Sequence, residues 1–169
     1  APVTQFLADR GDTYDPWNYW VFRSEVGGKM ENEDSRKLEE TWTSFSANRV
    51  TEDWRLGVGI DYKQKNRQFL LEDGSKLDDN TSRNSITAAA IKSLSPNWSV
   101  GLGASGQQST YRNLDLSQRV AAALEYNIFP YRLSAEKALT LGYFLGATNY
   151  SYEQTTVFGL LEETRVDHG

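Results

Sequence analysis

From Asp53 to Tyr62 the chain alternates almost without error. Trp54, Leu56, Val58, Ile60 and Tyr62 fall on one side; Arg55, Gly57, Gly59 and Asp61 fall on the other. A period of two belongs to a β-strand, whose successive side chains point to opposite faces. The polar side of this strand is unusual, because it mixes glycines with full charges. In a water-soluble sandwich the apolar side faces a core and the polar side meets water. In a barrel that spans a bilayer the apolar side meets lipid, and a Gly-rich, charged side lines the lumen. Trp54 and Tyr62 bracket the run with amphipathic rings, as interfacial girdles do. The pattern favours the second environment.

A length of 169 residues fits one domain, with room for a core or a closed barrel. The formal charge of −5 gives a nucleic-acid partner no electrostatic support. Cysteine is absent, which excludes disulfides, thiol catalysis and cysteine-based metal sites. No apolar run approaches the roughly 18 residues of a transmembrane helix. A membrane strand needs only about 9–11 residues with every second one apolar, so that absence carries no weight against a barrel. The opening Ala1-Pro2-Val3 shows no signal-peptide pattern, and the closing Val166-Asp167-His168-Gly169 lacks the terminal aromatic residue common in such barrels. The chain reads as a segment of something longer, with its last strand truncated.

The strand rhythm predicts a loose lead-in over 1–16 and a β-barrel domain over 17–169. Strands are expected at about 17–27, 38–48, 53–68, 83–94, 98–111, 116–128 and 138–156, with an eighth from about 160. Trp42 and Phe45 fall on opposite sides of the second, which leaves its orientation open. Lys29–Lys37 reads as a charged loop and Leu70–Ser82 as a long acidic one. Helix signals are weak and confined to Arg36–Trp42 and Ser134–Lys137. The expected fold is all-β: an antiparallel, up-and-down transmembrane barrel of about eight strands, closed alone or part of a larger one. Trp17, Trp20, Trp54, Trp98, Tyr126 and Tyr131 fall near one end of the meander, as a membrane-interface girdle would.

Three stretches carry a resemblance: WVFRSEVGGKMENEDSRK (Trp20 to Lys37), SFSANRVTEDWRLGVGIDY (Ser44 to Tyr62) and AALEYNIFPY (Ala122 to Tyr131). They resemble an uncharacterised family of bacterial outer-membrane β-barrel proteins, over about Trp17 to Glu163. Members of that family look longer, with a segment before the barrel and further strands after it. The resemblance implies a bacterial outer-membrane location, with outer-membrane lipid, lipopolysaccharide and the outer-membrane assembly machinery as partners. It supplies no catalytic residues.

Acyl-transfer barrels need a base beside their nucleophile. The single histidine, His168, lies one residue from the end and reads as a tail residue. Glu72, Asp73, Asp78 and Asp79 lack the spacing of a calcium loop and read as a solvated acidic loop. No enzyme activity, metal or cofactor is expected. Arg23, Glu25, Arg55, Asp61, Lys63, Arg119 and Glu125 are expected to line the lumen. Unpaired charge there is costly, and an eight-stranded barrel is just wide enough for side chains to fill. A salt-bridged plug is therefore preferred over a porin-like, selectivity-setting pore. Gly57, Gly59, Gly101, Gly103, Gly142 and Gly146 would let neighbouring lumen side chains fit past the wall. The competing expectation is a soluble lipocalin-like barrel that binds a small apolar ligand, with both faces reversed.

Overall fold

The computed structural model describes residues 15–130 and 136–169, so most of the expected lead-in, and Tyr131, lie outside the described residues. Eight strands follow in order: β1 (Trp20–Glu33), β2 (Arg36–Val50), β3 (Trp54–Leu70), β4 (Lys76–Ser93), β5 (Trp98–Ser109), β6 (Leu114–Asn127), β7 (Thr140–Tyr152) and β8 (Glu162–His168). One 3-10 turn, Thr110–Arg112, joins β5 to β6. The strands form a single antiparallel sheet in chain order, the up-and-down arrangement expected. The sheet is open: β1 and β8 are its two edges and do not pair.

Two expected loops are strands. β1 continues to Glu33 and β2 begins at Arg36, so only Asp34 and Ser35 connect them. The charges there alternate in sign across the ladder: Arg36 lies opposite Glu33, and its guanidinium reaches both Glu31 and Glu33 at 3.2 Å. Opposite charges facing each other favour strand pairing, which is why a charged run extends the hairpin. The expected acidic loop shrinks in the same way to Leu71–Ser75, where Asp73 accepts from the Ser75 amide at 2.9 Å. Beyond it Arg67 pairs with Asp79 at 3.5 Å and Gln68 donates to Asp78 at 2.9 Å. The weak helix signal at Arg36–Trp42 is overruled by the same ladder and lies inside β2.

Register assigns the faces, because directly opposed residues share one. Ile60 lies opposite Phe45 and Ile86, and Leu102 opposite Ala90 and Ala122. These belong to an apolar face that runs across the whole sheet. A row of opposed residues from Trp20 passes through Arg49, Leu56, Ala90, Leu102, Ala122 and Leu145 to His168. It crosses β3 two residues past Trp54 and β5 four residues past Trp98. The tryptophans thus step down by one residue per strand, the stagger of strands tilted against a common level.

The sheet is one layer without an interior. Buried apolar side chains among the described residues are Leu38, Ala47 and Leu114 alone, and no large side chain is fully buried. Because the charged extensions are paired strand, the amides of Lys76–Ser82 are expected to exchange at least about tenfold more slowly than those of Leu71–Ser75. Residue-resolved hydrogen exchange checks this.

Candidate functional site

The candidate site is the other face of the sheet. Arg23, Glu25, Arg55, Asp61, Lys63, Arg119 and Glu125 all lie on it by register. Glu25, Ser44, Asp61 and Ser85 make one opposed row. Arg23, Ser46, Gly59, Thr87, Ser105 and Arg119 make another. Glycine, serine and alanine fill the intervening positions, so long charged side chains can lie across their neighbours.

The long apolar side chains are open, and so are Arg23, Glu25, Asp61 and Lys63 on the polar face; only short side chains beneath their neighbours are covered there. On the polar face Ser99 and Thr148 are each 4 % exposed, whereas on the apolar face Leu102 is 58 % and Leu145 55 % exposed. Side chains lying flat over small residues cover short neighbours such as Thr148 on the polar face, and among the described residues no second layer packs on the apolar face.

Arg119 shows how this packing works. Its guanidinium grips both carboxylate oxygens of Asp167, at 2.6 and 2.7 Å, and donates to Thr148 Oγ1 at 3.0 Å. It crosses the backbone of Gly146, where a Cβ would fall 2.6 Å from Nη2. Gly27 plays the same part for Trp42, whose ring occupies the space a side chain at 27 would need. Trp42 Nε1 donates to Glu25 at 3.1 Å. Lower on the sheet, Asn127 donates to Glu125 at 3.2 Å and accepts from Thr140 at 2.6 Å. Asp61 accepts from Ser85 at 3.2 Å.

Past Tyr62 the strands leave the apolar band, and the charges form a denser network. Lys63 reaches Glu40 at 2.6 Å and Lys65 reaches it at 3.4 Å, while Lys29 pairs with Glu31. The ammonium of Lys63, hydrogen-bonded to Glu40, holds that carboxyl below its usual range, against the opposing effect of burial and with help from Lys65. Tyr152 donates to Glu163, which Arg165 also meets at 2.8 Å; both hydrogen bonds, the tyrosine's first, keep Glu163 ionised at lower pH than usual. A groove of about 600 Å³ lies along the polar face between Glu25, Glu40, Trp42, Asp61, Lys63 and Arg83.

Four of the expected girdle residues share the apolar face. Trp20, Trp54, Trp98 and Tyr126 lie there at one end of the strands. Trp98 and Tyr126 are 4.7 Å apart between ring centroids, Trp17 meets Phe22 edge-on at 5.5 Å, and the Lys92 ammonium sits 5.4 Å over Trp54. His168 is on this face too, 6.0 Å from the Tyr143 ring.

Sequence reasoning missed Trp42, Glu40, Arg83, Asp167, Glu163 and Arg165 as members of the polar face. Glu163, Arg165 and Asp167 alternate with period two, the one signal that could have found them. Comparison with protein-family models, curated proteins and solved structures finds no match.

Two outcomes are expected. Gly146→Val drives a branched side chain into the Arg119 guanidinium and should cost about 1–3 kcal/mol of stability. Adding Arg119→Ala should make the two losses less than additive in a double-mutant cycle. Glu40 has a depressed folded-state pKa, so its stabilisation is present above the ordinary value of 4.5 and fades as pH falls through the lower folded value. Glu40→Gln should therefore destabilise at pH 7 and have little effect well below pH 4.5, as read by denaturant titration at both pH values.

Proposed function

We propose that this chain forms the wall of a bacterial outer-membrane β-barrel with a structural or weakly permeable role. The carrying observation is the open apolar face: leucines, valines and isoleucines stand exposed along one side of the whole sheet, while the Gly-rich side holds charges paired over small residues. Bilayer hydrocarbon solvates such an apolar face, and a polar lumen accommodates the charges. From Trp54 to Tyr62 the apolar run spans eight residue steps; at about 3.3 Å each that is roughly 26 Å along a tilted strand. The aromatic end of this face fits the interfacial girdle of such barrels.

The same medium requires every backbone edge to be satisfied, so β1 and β8 would each have a partner when the sheet is inserted. With eight strands the lumen is narrow enough for side chains to fill, and the Arg119–Asp167 and Trp42–Glu25 contacts are filling of that kind. This favours a structural, salt-bridged plug over an open pore. The partners are outer-membrane lipid, lipopolysaccharide and the outer-membrane assembly machinery, and the chemistry proposed needs no cofactor.

Gel migration of unboiled against boiled protein, refolded with and without detergent micelles, tests the reading. A compact, heat-sensitive band that forms only with micelles is expected. A cooperatively folded species in plain buffer would overturn it and favour a soluble, lipocalin-like barrel with an apolar ligand.

A further inference from the structure

The two open edges carry a charge pattern that one closure satisfies better than its neighbours. The opposed row from Trp20 arrives at His168 on β8. Over the intervening strands the tryptophan level falls by one residue per strand. If eight strands close with that stagger, the row returns to β1 about eight residues above Trp20, at Gly28. Lumen and lipid faces must stay continuous around the ring, so the shear is even; six, eight and ten are the values to weigh.

Charge decides among them. A shear of eight sets Asp167 opposite Lys29 and Arg165 opposite Glu31, two complementary pairs side by side, with one like-charged pair, Glu163 and Glu33, at the outer end of β1. On the lipid face it sets Val166 opposite Met30. A shear of six sets Arg165 against Lys29 and Glu163 against Glu31, both like-charged. A shear of ten sets Asp167 against Glu31, like-charged, and Arg165 against Glu33, complementary, so it gains one pair fewer than a shear of eight. Like charges directly opposed destabilise an antiparallel pair, and opposite charges support it.

We infer that β8 pairs antiparallel with the upper half of β1 in a barrel of shear eight, joined through Lys29–Asp167 and Glu31–Arg165. An eight-stranded barrel of that shear tilts its strands by about 36°. The seam extends interactions already in place. Asp167 is held by Arg119 and Arg165 by Glu163, while Lys29 holds Glu31. Closure would join Arg119, Asp167, Lys29, Glu31 and Arg165 into one ladder of alternating sign. In the open sheet Lys29 and Glu31 pair along their own strand, which leaves both at the edge, ready to meet β8.

This inference deepens the barrel reading and rests on the sheet closing, in a bilayer or in water. The chain has no cysteine, so an introduced pair is the only thiol pair present. Directly opposed residues on antiparallel strands have Cα separations of about 4.5–5.5 Å, within disulfide reach. Met30→Cys with Val166→Cys probes the seam on the lipid face and leaves the ion pairs intact. Gly28→Cys and Asn32→Cys, each with Val166→Cys, probe shears of six and ten.

Each variant is folded in micelles and oxidised, and the monomer is examined for an internal crosslink on a denaturing gel. The 30–166 pair should crosslink within the monomer roughly fivefold more than either displaced pair. Glu31→Lys should reduce that yield, and Glu31→Lys with Arg165→Glu should restore it. Preferential crosslinking of a displaced pair, disulfide-linked dimers in place of internal links, or no crosslink in a chain that shows the heat-sensitive band would each overturn the inference. If the chain folds in buffer instead, the membrane reading fails by the gel-migration test, and the same crosslinks read in buffer still decide the register.

Discussion

The ladder of backbone hydrogen bonds between consecutive strands organises everything else in this molecule. A usual domain has a second layer to pack against; this sheet has none, and its few buried apolar residues cannot fix its shape. Register does that work. Each opposed pair places two side chains on a common face, and a one-residue slip would put every leucine among the arginines. The ladder is long and regular where it matters most, with β3 and β4 paired from Trp54–Lys92 to Leu70–Lys76.

Specific packing sits on the polar face, where it is made by pairing large side chains with missing ones. Arg119 fits because residue 146 is glycine, and Trp42 fits because residue 27 is glycine. Each large group also has a hydrogen-bond acceptor across the strands, Asp167 for one and Glu25 for the other. Apolar alternation alone would permit several registers. These couplings choose one, because a displaced guanidinium or indole would meet a β-carbon and lose its acceptor.

The legible part of the fold was the part with one chemistry per face. Trp54–Tyr62 and Trp98–Ala104 could be read as strands, with their faces, from alternation alone, and all seven expected charges share a face. β2 could not be read so, because Trp42 belongs to the polar face and Phe45 to the apolar one, a division that becomes clear only through Gly27. The extensions at Lys29–Lys37 and Lys76–Ser82 resemble loops because both of their faces are polar; what makes them strands is complementarity across each hairpin, Glu33 with Arg36 and Arg67 with Asp79. Asp167 is not legible as a member of the polar face, since its value depends on Arg119, 48 residues away. The edges of the sheet were illegible for the same reason.

Those strand extensions also give the molecule an uneven rim. Counted upward from the tryptophan level, β3 and β4 run about eight residues past Tyr62 and Asn84, whereas β5 stops at Ser109, three residues past Gly106. The overhang is braced by the Lys63–Glu40–Lys65 triad and by Arg67–Asp79, so it stands as a stiff parapet on one side only. In the proposed barrel, large bodies approaching that end would meet a wall along β3 and β4 and a lower sill along β5. Access to the polar groove would then be directional, with its steric barrier set by strand length more than by any moving part.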